Sequence, residues 1–125
     1  MKIISTKVHS ILDYMSGILL IASPWIFQFN DVSPAKWVAL IVGAAIILMS
    51  LFTNYEGGVL KTIPMPAHLN IDIVTGLFLA ASPWLLDFNG QVYLPHLILG
   101  IFEIMAGVVT DRTPVREHLT DLDRP

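Results

Sequence analysis

A 22-residue segment that occurs twice is the feature of this chain that most limits its fold. Residues 9–30 read HSILDYMSGILLIASPWIFQFN, and residues 68–89 read HLNIDIVTGLFLAASPWLLDFN, 59 positions later. Ten of the 22 positions are identical, and both copies carry the triplet Ser-Pro-Trp. A repeat at a fixed period predicts that each copy builds an equivalent structural unit.

The composition favours a membrane protein. The 125 residues suffice for one domain, and 54% of them are hydrophobic while 14% are charged. Soluble domains average about 25% charged residues and need polar groups to cover their surface. The chain has no cysteine, which excludes disulfides and thiol chemistry. Its net charge of −3 comes without a basic patch, so no nucleic-acid partner is expected.

The first apolar run is interpreted as retained structure rather than as a signal peptide. It contains Asp13, no small-residue cleavage site follows it, and it returns within residues 68–89. Runs of about 20 mostly apolar residues are long enough to cross a bilayer. The sequence therefore predicts an all-α membrane protein with four transmembrane helices at about 7–28, 35–53, 66–87 and 93–110.

Local signals refine the first of these helices. Thr6 is the expected N-cap, because its hydroxyl can accept from a backbone N–H of the first turn. Pro24 lies inside the helix, where it removes the hydrogen bond to the carbonyl of Leu20 and favours a kink. A membrane helix must satisfy that carbonyl internally, and the hydroxyl of Ser23 is a suitable donor.

The predicted organisation is one membrane domain over 1–125. Repeat 1 covers about 7–53, a cytoplasmic loop about 54–65, repeat 2 about 66–110, and a polar cytoplasmic tail 111–125. The tail is either a short helix from Thr113 or disordered. The basic residues expected on the side of the termini are Lys2, Lys7, Lys61, Arg112, Arg116 and Arg124, against Lys36 alone on the other side.

This bias predicts cytoplasmic termini. Two hairpins of the same orientation predict a parallel repeat, related by a pseudo-twofold axis along the membrane normal.

The triplets also carry a family resemblance. Ser23-Pro24-Trp25 and Ser82-Pro83-Trp84 each have an aspartate ten residues before the serine and a glycine six before it. Over about 9–110 the chain resembles the SPW-repeat family of small bacterial integral membrane proteins. The resemblance implies one pair of membrane helices per repeat, with the triplet in the first helix, and a location in the bacterial cytoplasmic (inner) membrane. It implies no assigned activity.

One polar face recurs in both repeats. Its members are His9, Asp13, Ser16 and Gly17 in repeat 1, and His68, Asp72, Thr75 and Gly76 in repeat 2. Offsets of 0, 4, 7 and 8 lie on one face of a helix, and the two faces are expected to meet. Two interpretations stay open. Two imidazoles and two carboxylates suit a proton relay or a metal site. Alternatively they form structural pairs, with Gly17 and Gly76 bringing the two helices close.

A second polar face breaks the symmetry. His96, Gly100, Glu103 and Gly107 share one face of the fourth helix, whereas the second helix has Ala39, Gly43, Ile46 and Ser50 at those places. Duplication alone therefore does not explain Glu103. It is either a functional intramembrane carboxyl or a buried carboxyl bonded to a neighbouring helix.

The aromatic residues near the triplets allow two interpretations. Trp25 and Trp84, together with Phe29 and Phe88, could form a binding surface on the outer face. Interfacial anchoring is the preferred explanation, because indole rings are favourable at the membrane boundary.

These patterns predict a non-enzymatic structural or partner-binding membrane module. Its expected partners are the lipid bilayer and a homo-oligomer or another membrane protein, since glycine faces favour helix association. No catalytic residue, cofactor or metal is predicted. The alternative is a small transporter or proton- or ion-conducting protein that uses Asp13, Asp72 and Glu103. A third hypothesis is a metal- or haem-binding membrane subunit, with His9 and His68 as ligands.

Overall fold

The chain folds into four α-helices joined by short connections. The computed structural model describes residues 3–113. The helices are α1 (Thr6–Ile26), α2 (Ser33–Phe52), α3 (Met65–Leu85) and α4 (Leu94–Val109). Within the described residues there are isolated bridges but no β-strand. The prediction of an all-helical fold with four helices is confirmed, and each end lies within two residues of its predicted place. Apart from 111–113, the predicted tail lies outside the described residues.

Glycines set the pairing of the helices into two hairpins, α1 with α2 and α3 with α4. A Cβ on Gly17 would lie 3.1 Å from the carbonyl oxygen of Gly43 on α2. A Cβ on Gly76 would lie 2.7 Å from the carbonyl oxygen of Gly100 on α4. The expectation that Gly17 and Gly76 bring α1 close to α3 is therefore wrong. These glycines let the backbones approach inside each hairpin, because each faces a glycine of its own partner helix.

In each Ser-Pro pair, the serine hydroxyl replaces the backbone hydrogen bond that the proline cannot make. Pro24 lacks the N–H that would bond to the carbonyl of Leu20, and the Ser23 hydroxyl donates to that oxygen at 2.7 Å. In α3 the Ser82 hydroxyl donates to the carbonyl of Leu79 at 2.7 Å. The helices therefore continue through the prolines with these carbonyls satisfied, as the sequence predicted.

After α1 and after α3, the chain turns a phenylalanine side chain inward. After α1, Gln28 adopts a left-handed conformation with φ 58°, and the Phe29 N–H donates to the carbonyl of Pro24 at 2.8 Å. This αL ending carries Phe29 into the core while Trp25 stays exposed. The second hairpin repeats it with Pro83, Trp84, Asp87 and Phe88. Grouping Phe29 and Phe88 with the tryptophans on the outer face was therefore wrong.

At the opposite end of the bundle, the last residues of each hairpin form backbone hydrogen bonds with the segment that precedes the other hairpin. The Ile4 N–H donates to the carbonyl of Val109 at 3.0 Å, next to the end of α4. In the same way, the Ile63 N–H donates to the carbonyl of Phe52 at 2.8 Å, at the end of α2. The start of α1 is capped by Ser5, whose hydroxyl accepts from the Val8 N–H at 3.3 Å, and not by Thr6 as expected.

Candidate functional site

Two histidines and two aspartates from α1 and α3 meet in the interior. His9 Nε2 lies 2.9 Å from Asp72 Oδ2 and 3.1 Å from Asp13 Oδ1. His68 Nε2 lies 2.9 Å from Asp13 Oδ2 and 3.2 Å from Asp72 Oδ2. The structure thus brings together the four groups that the repeated polar face placed on one side of each helix. We call these residues the His–Asp cluster.

The His–Asp cluster is closed to the outside and joins the two hairpins. The exposed fraction of its side chains lies between 0% and 2%. Each histidine contacts two aspartates. One is four residues later in its own helix, and the other belongs to the other member of the α1–α3 pair. Each Nε2 atom can share one hydrogen with its nearest carboxylate oxygen, which lies at 2.9 Å for both histidines and belongs to the other helix, so these hydrogen bonds join α1 and α3.

Two threonines fix the outer nitrogens of the imidazoles. His9 Nδ1 lies 2.7 Å from Thr110 Oγ1, and this hydroxyl donates to the carbonyl of Ala106 at 2.6 Å. His68 Nδ1 lies 2.6 Å from Thr53 Oγ1, which donates to the carbonyl of Met49 at 2.7 Å. Because a hydroxyl has a single hydrogen, each threonine oxygen accepts from the ring, and both Nδ1 atoms carry a proton. Both Nε2 atoms therefore face the carboxylates in a fixed orientation.

The two aspartates have different surroundings. Asp13 Oδ2 also accepts from the hydroxyl of Tyr55 at 3.0 Å, whereas the Ser50 hydroxyl, 3.5 Å away, donates to the carbonyl of Ile46 at 2.8 Å. Tyr55 comes from the connection between α2 and α3, is 1% exposed, and covers this side of the cluster. Burial, with the nearby Asp13 carboxylate, raises the pKa of Tyr55 above its ordinary value, so the hydroxyl stays a donor. Asp72 Oδ1, by contrast, is buried without a hydrogen-bond partner in the part of the chain described.

Glu103 lies on α4 near the cluster but outside it. Its Oε1 accepts from the Ser16 hydroxyl of α1 at 2.8 Å, and the side chain is 1% exposed. Its Oε2 is buried and has no partner among residues 3–113. The structure thus places Glu103 against a neighbouring helix with one half of its carboxyl unsatisfied. Ile46, at the equivalent place on α2, is a core residue with 1% exposure.

His96 lies at the other end of α4, away from the cluster. Its ring lies between the two inward-turned phenylalanines, 5.1 Å from the ring centre of Phe29 and 4.9 Å from that of Phe88. Its Nε2 lies 3.0 Å from the carbonyl oxygen of Ala35, to which it donates. His96 therefore connects α4 to the start of α2 by packing and one hydrogen bond.

The comparisons with known proteins give one decisive result. The family model of the SPW repeat domain matches residues 7–110, which includes all four helices except the first residue of α1. The chain belongs to the SPW repeat family. No match was found among curated proteins or among solved structures.

The SPW triplets and the His–Asp cluster are separate parts of the molecule. Ser23 follows Asp13 by ten residues, which corresponds to about 15 Å along a helix. The SPW triplets complete the backbone at the helix ends and present Trp25 and Trp84 at exposed fractions of 56% and 51%. The His–Asp cluster of this SPW protein lies toward the opposite ends of the same helices.

Sequence reasoning missed three residues of the site, Thr53, Thr110 and Tyr55. The threonines had a readable signal, because each follows the hairpin glycine of its helix, Gly43 or Gly100, by ten residues. Their hydroxyls thus recur at equivalent places just past α2 and α4. Tyr55 had no such signal, since Arg112 occupies the equivalent place in the second repeat.

The cluster offers a set of donors suited to two kinds of chemistry. One ligand atom from each of the four residues lies within 4.8 Å of every other. Such a set can share hydrogens among nitrogen and oxygen atoms, or it can surround a metal ion.

Proposed function

We propose that this chain is an integral membrane protein with four membrane-crossing helices that serves as a non-enzymatic structural or partner-binding module. The observation that carries the proposal is the inverted polarity of the helix bundle. The histidine, aspartate and glutamate side chains within the helices are buried, whereas large apolar side chains point outward, as a lipid environment requires.

The outward faces of all four helices support this proposal. Each helix exposes more than half of a large apolar side chain: Ile18 at 62%, Ile41 at 63%, Val74 at 66% and Ile98 at 59%. The described charged side chains that are exposed lie at or beyond the helix ends: Lys7, Asp31, Lys61, Asp87 and Arg112. A soluble bundle of this size would carry charges along its sides.

Hydropathy alone is a weaker guide for this chain. Among the described residues, only α2 is both long and apolar enough to cross a membrane, with a mean hydropathy of 2.2, and α4 is a shorter apolar helix. The long helices α1 and α3 have lower mean values because they contain the His–Asp cluster, which faces inward. Their buried polar groups are compatible with a lipid-facing exterior, since such groups turn to the bundle interior.

The two halves of the module are joined by contacts between buried side chains. Every ionisable side chain of the cluster is engaged with the other hairpin, and Glu103 with Ser16 adds a contact between α4 and α1. The glycines are used inside the hairpins, so glycine faces no longer argue for self-association. The partners that remain are the bilayer and any membrane protein that packs on the apolar outer faces.

Labelling of single cysteines tests the proposed arrangement in the membrane, with both termini cytoplasmic. The chain contains no cysteine, so each variant carries one thiol. Asp31→Cys and Asn89→Cys lie at the same end of the two hairpins and should react with an impermeant maleimide added outside intact cells. Val59→Cys, which is at an exposed site in the opposite connection, should react only after permeabilisation. Labelling of Val59→Cys and Asp31→Cys from the same side would contradict four crossings.

A second candidate function, proton transfer through Glu103, is favoured by the unpartnered Oε2 of that residue. A carboxyl oxygen without a partner is free to accept a proton. Against this function, a cavity of 630 Å³ lies at the opposite end, and its lining includes Leu19, Phe27 and Ile98 but neither Glu103 nor any member of the cluster.

Proton flux into proteoliposomes separates the two functions. With a potassium gradient, valinomycin and an internal pH-sensitive dye, the structural module should give the flux of protein-free vesicles. Flux above that level, abolished by Glu103→Gln and retained by Asp87→Asn, would instead establish proton transfer. Asp87 is the matched control because its carboxylate is exposed at the end of α3.

A further inference from the structure

We propose that the His–Asp cluster is a binding site for one divalent transition-metal ion, with zinc as the best-suited ion. His9 and His68 would supply Nε2 atoms, and Asp13 and Asp72 would each supply one carboxylate oxygen. Imidazole nitrogen and carboxylate oxygen are ordinary zinc ligands, and four protein ligands are typical of structural zinc sites. Two carboxylates also balance the charge of a divalent ion, which matters at a buried site.

The spacing of the ligand atoms fits a small ion at their centre. His9 Nε2 lies 2.9 Å from Asp72 Oδ2 and 3.1 Å from Asp13 Oδ1, whereas His68 Nε2 lies 2.9 Å from Asp13 Oδ2 and 3.2 Å from Asp72 Oδ2. Tetrahedral zinc with bonds of about 2.0–2.2 Å holds its ligand atoms about 3.3–3.5 Å apart. Each of these nitrogen–oxygen contacts would lengthen by about 0.1–0.6 Å to become one edge of such a coordination shell.

The groups behind the ligands are already arranged as a metal site requires. Metal-bound histidines donate their other ring N–H to an oxygen, which fixes the tautomer and the ring orientation. Thr110 and Thr53 accept from the Nδ1–H groups of His9 and His68 in this way. The Tyr55 hydroxyl in turn donates to the Asp13 carboxylate.

A second observation points to a missing ligand partner. Asp72 is 1% exposed, yet its Oδ1 has no hydrogen-bond partner within residues 3–113. A buried carboxylate oxygen without a partner is costly, and a cation that takes Oδ1 as its Asp72 ligand would offset that cost. The ligand atoms alternate between α1 and α3, so the ion would clamp one hairpin to the other. The proposal goes beyond the module proposed above, and the flux experiment is independent of it.

Direct metal analysis tests the proposal. Full-length protein with a histidine-free affinity tag is purified in detergent, stripped with EDTA, incubated with Zn²⁺ and gel-filtered. We expect about one zinc per chain by mass spectrometry, as for a closed structural site. Co²⁺ in its place should give the visible absorption bands of a tetrahedral ion. Asp72→Asn should lose both signals, whereas His96→Gln, which alters a buried histidine outside the cluster, should keep them.

The threonines provide a variant that keeps all four ligands. Thr53→Val should lower the zinc affinity by about 10-fold or more, because the His68 ring loses its orienting acceptor. This measurement decides the matter if Asp72→Asn does not fold. Wild-type protein that retains no zinc, or zinc binding that is equal in wild type and Thr53→Val, would overturn the proposal.

Discussion

Replacing Asp13 by alanine should be the most damaging single change in the chain, with a loss of about 3–5 kcal/mol in the free energy of unfolding. Asp13 accepts from His68 and Tyr55, pairs with His9, and is 2% exposed. Its removal takes the nearest carboxylate from the buried His68 ring and the acceptor from the buried Tyr55 hydroxyl. Unfolding in detergent, followed by the fluorescence of the three tryptophans, measures the effect.

Asp72→Ala is the matched control, because Asp72 occupies the equivalent position and contacts the same two histidines. Asp72→Ala should cost about 1 kcal/mol less than Asp13→Ala, since the Tyr55 hydroxyl donates to Asp13 and not to Asp72. Tyr55→Phe should cost about 1 kcal/mol in the wild type and almost nothing in the Asp13→Ala background. Equal losses for the two aspartates would show that the Tyr55 hydrogen bond contributes no stability.

The internal repeat explains why most of the cluster could be read from the sequence. His9 and Asp13 are four residues apart on one helix face, and the same spacing recurs at His68 and Asp72. Helical periodicity places each pair on one face, and the cost of exposing charge to lipid turns that face inward. These two arguments suffice to predict that the pairs meet, without any knowledge of the loops.

The contacts that escaped prediction depend on tertiary placement. Thr53 follows the end of α2 and Thr110 follows the end of α4. Their hydroxyls reach His68 and His9 because the end of α2 lies next to α3 and the end of α4 lies next to α1. The inward turn of Phe29 follows from the left-handed backbone conformation of Gln28. Such positions are usually occupied by glycine, and a glutamine there gives no sequence signal of the turn. Periodicity cannot resolve such features, because it carries no information on what lies across from a helix end.

The partner of each glycine was mispredicted for a related reason. Helical spacing puts Gly17 on the same side as Asp13, and that side was expected to face α3 as a whole. The face is in fact shared, because Gly17 packs on Gly43 of α2 while Asp13 reaches His68 of α3. A helix in a four-helix bundle contacts two neighbours, and a single stripe of sequence can serve both.

Glu103→Ile should stabilise the protein by about 1–3 kcal/mol, because it replaces a poorly satisfied buried carboxyl with an apolar side chain of similar size. Only Oε1 of Glu103 has a hydrogen-bond partner among the described residues, and Ile46 shows that isoleucine packs at the equivalent place on α2. The Ser16 hydroxyl keeps a second acceptor, the carbonyl of Asp13 at 3.2 Å. The same detergent unfolding experiment measures the gain.

The reciprocal change, Ile46→Glu, is the control, and it should cost about 2 kcal/mol or more since it buries a carboxyl in the apolar core around α2. If Glu103→Ile instead loses as much stability as Ile46→Glu, then the Ser16 bond makes the carboxyl a structural element of the α1–α4 contact. A gain in stability would mean that the fold does not need the carboxyl. Intramembrane carboxyls carried at a cost to stability mark functional positions. The Glu103→Ile protein would then be the variant in which to look for a lost activity.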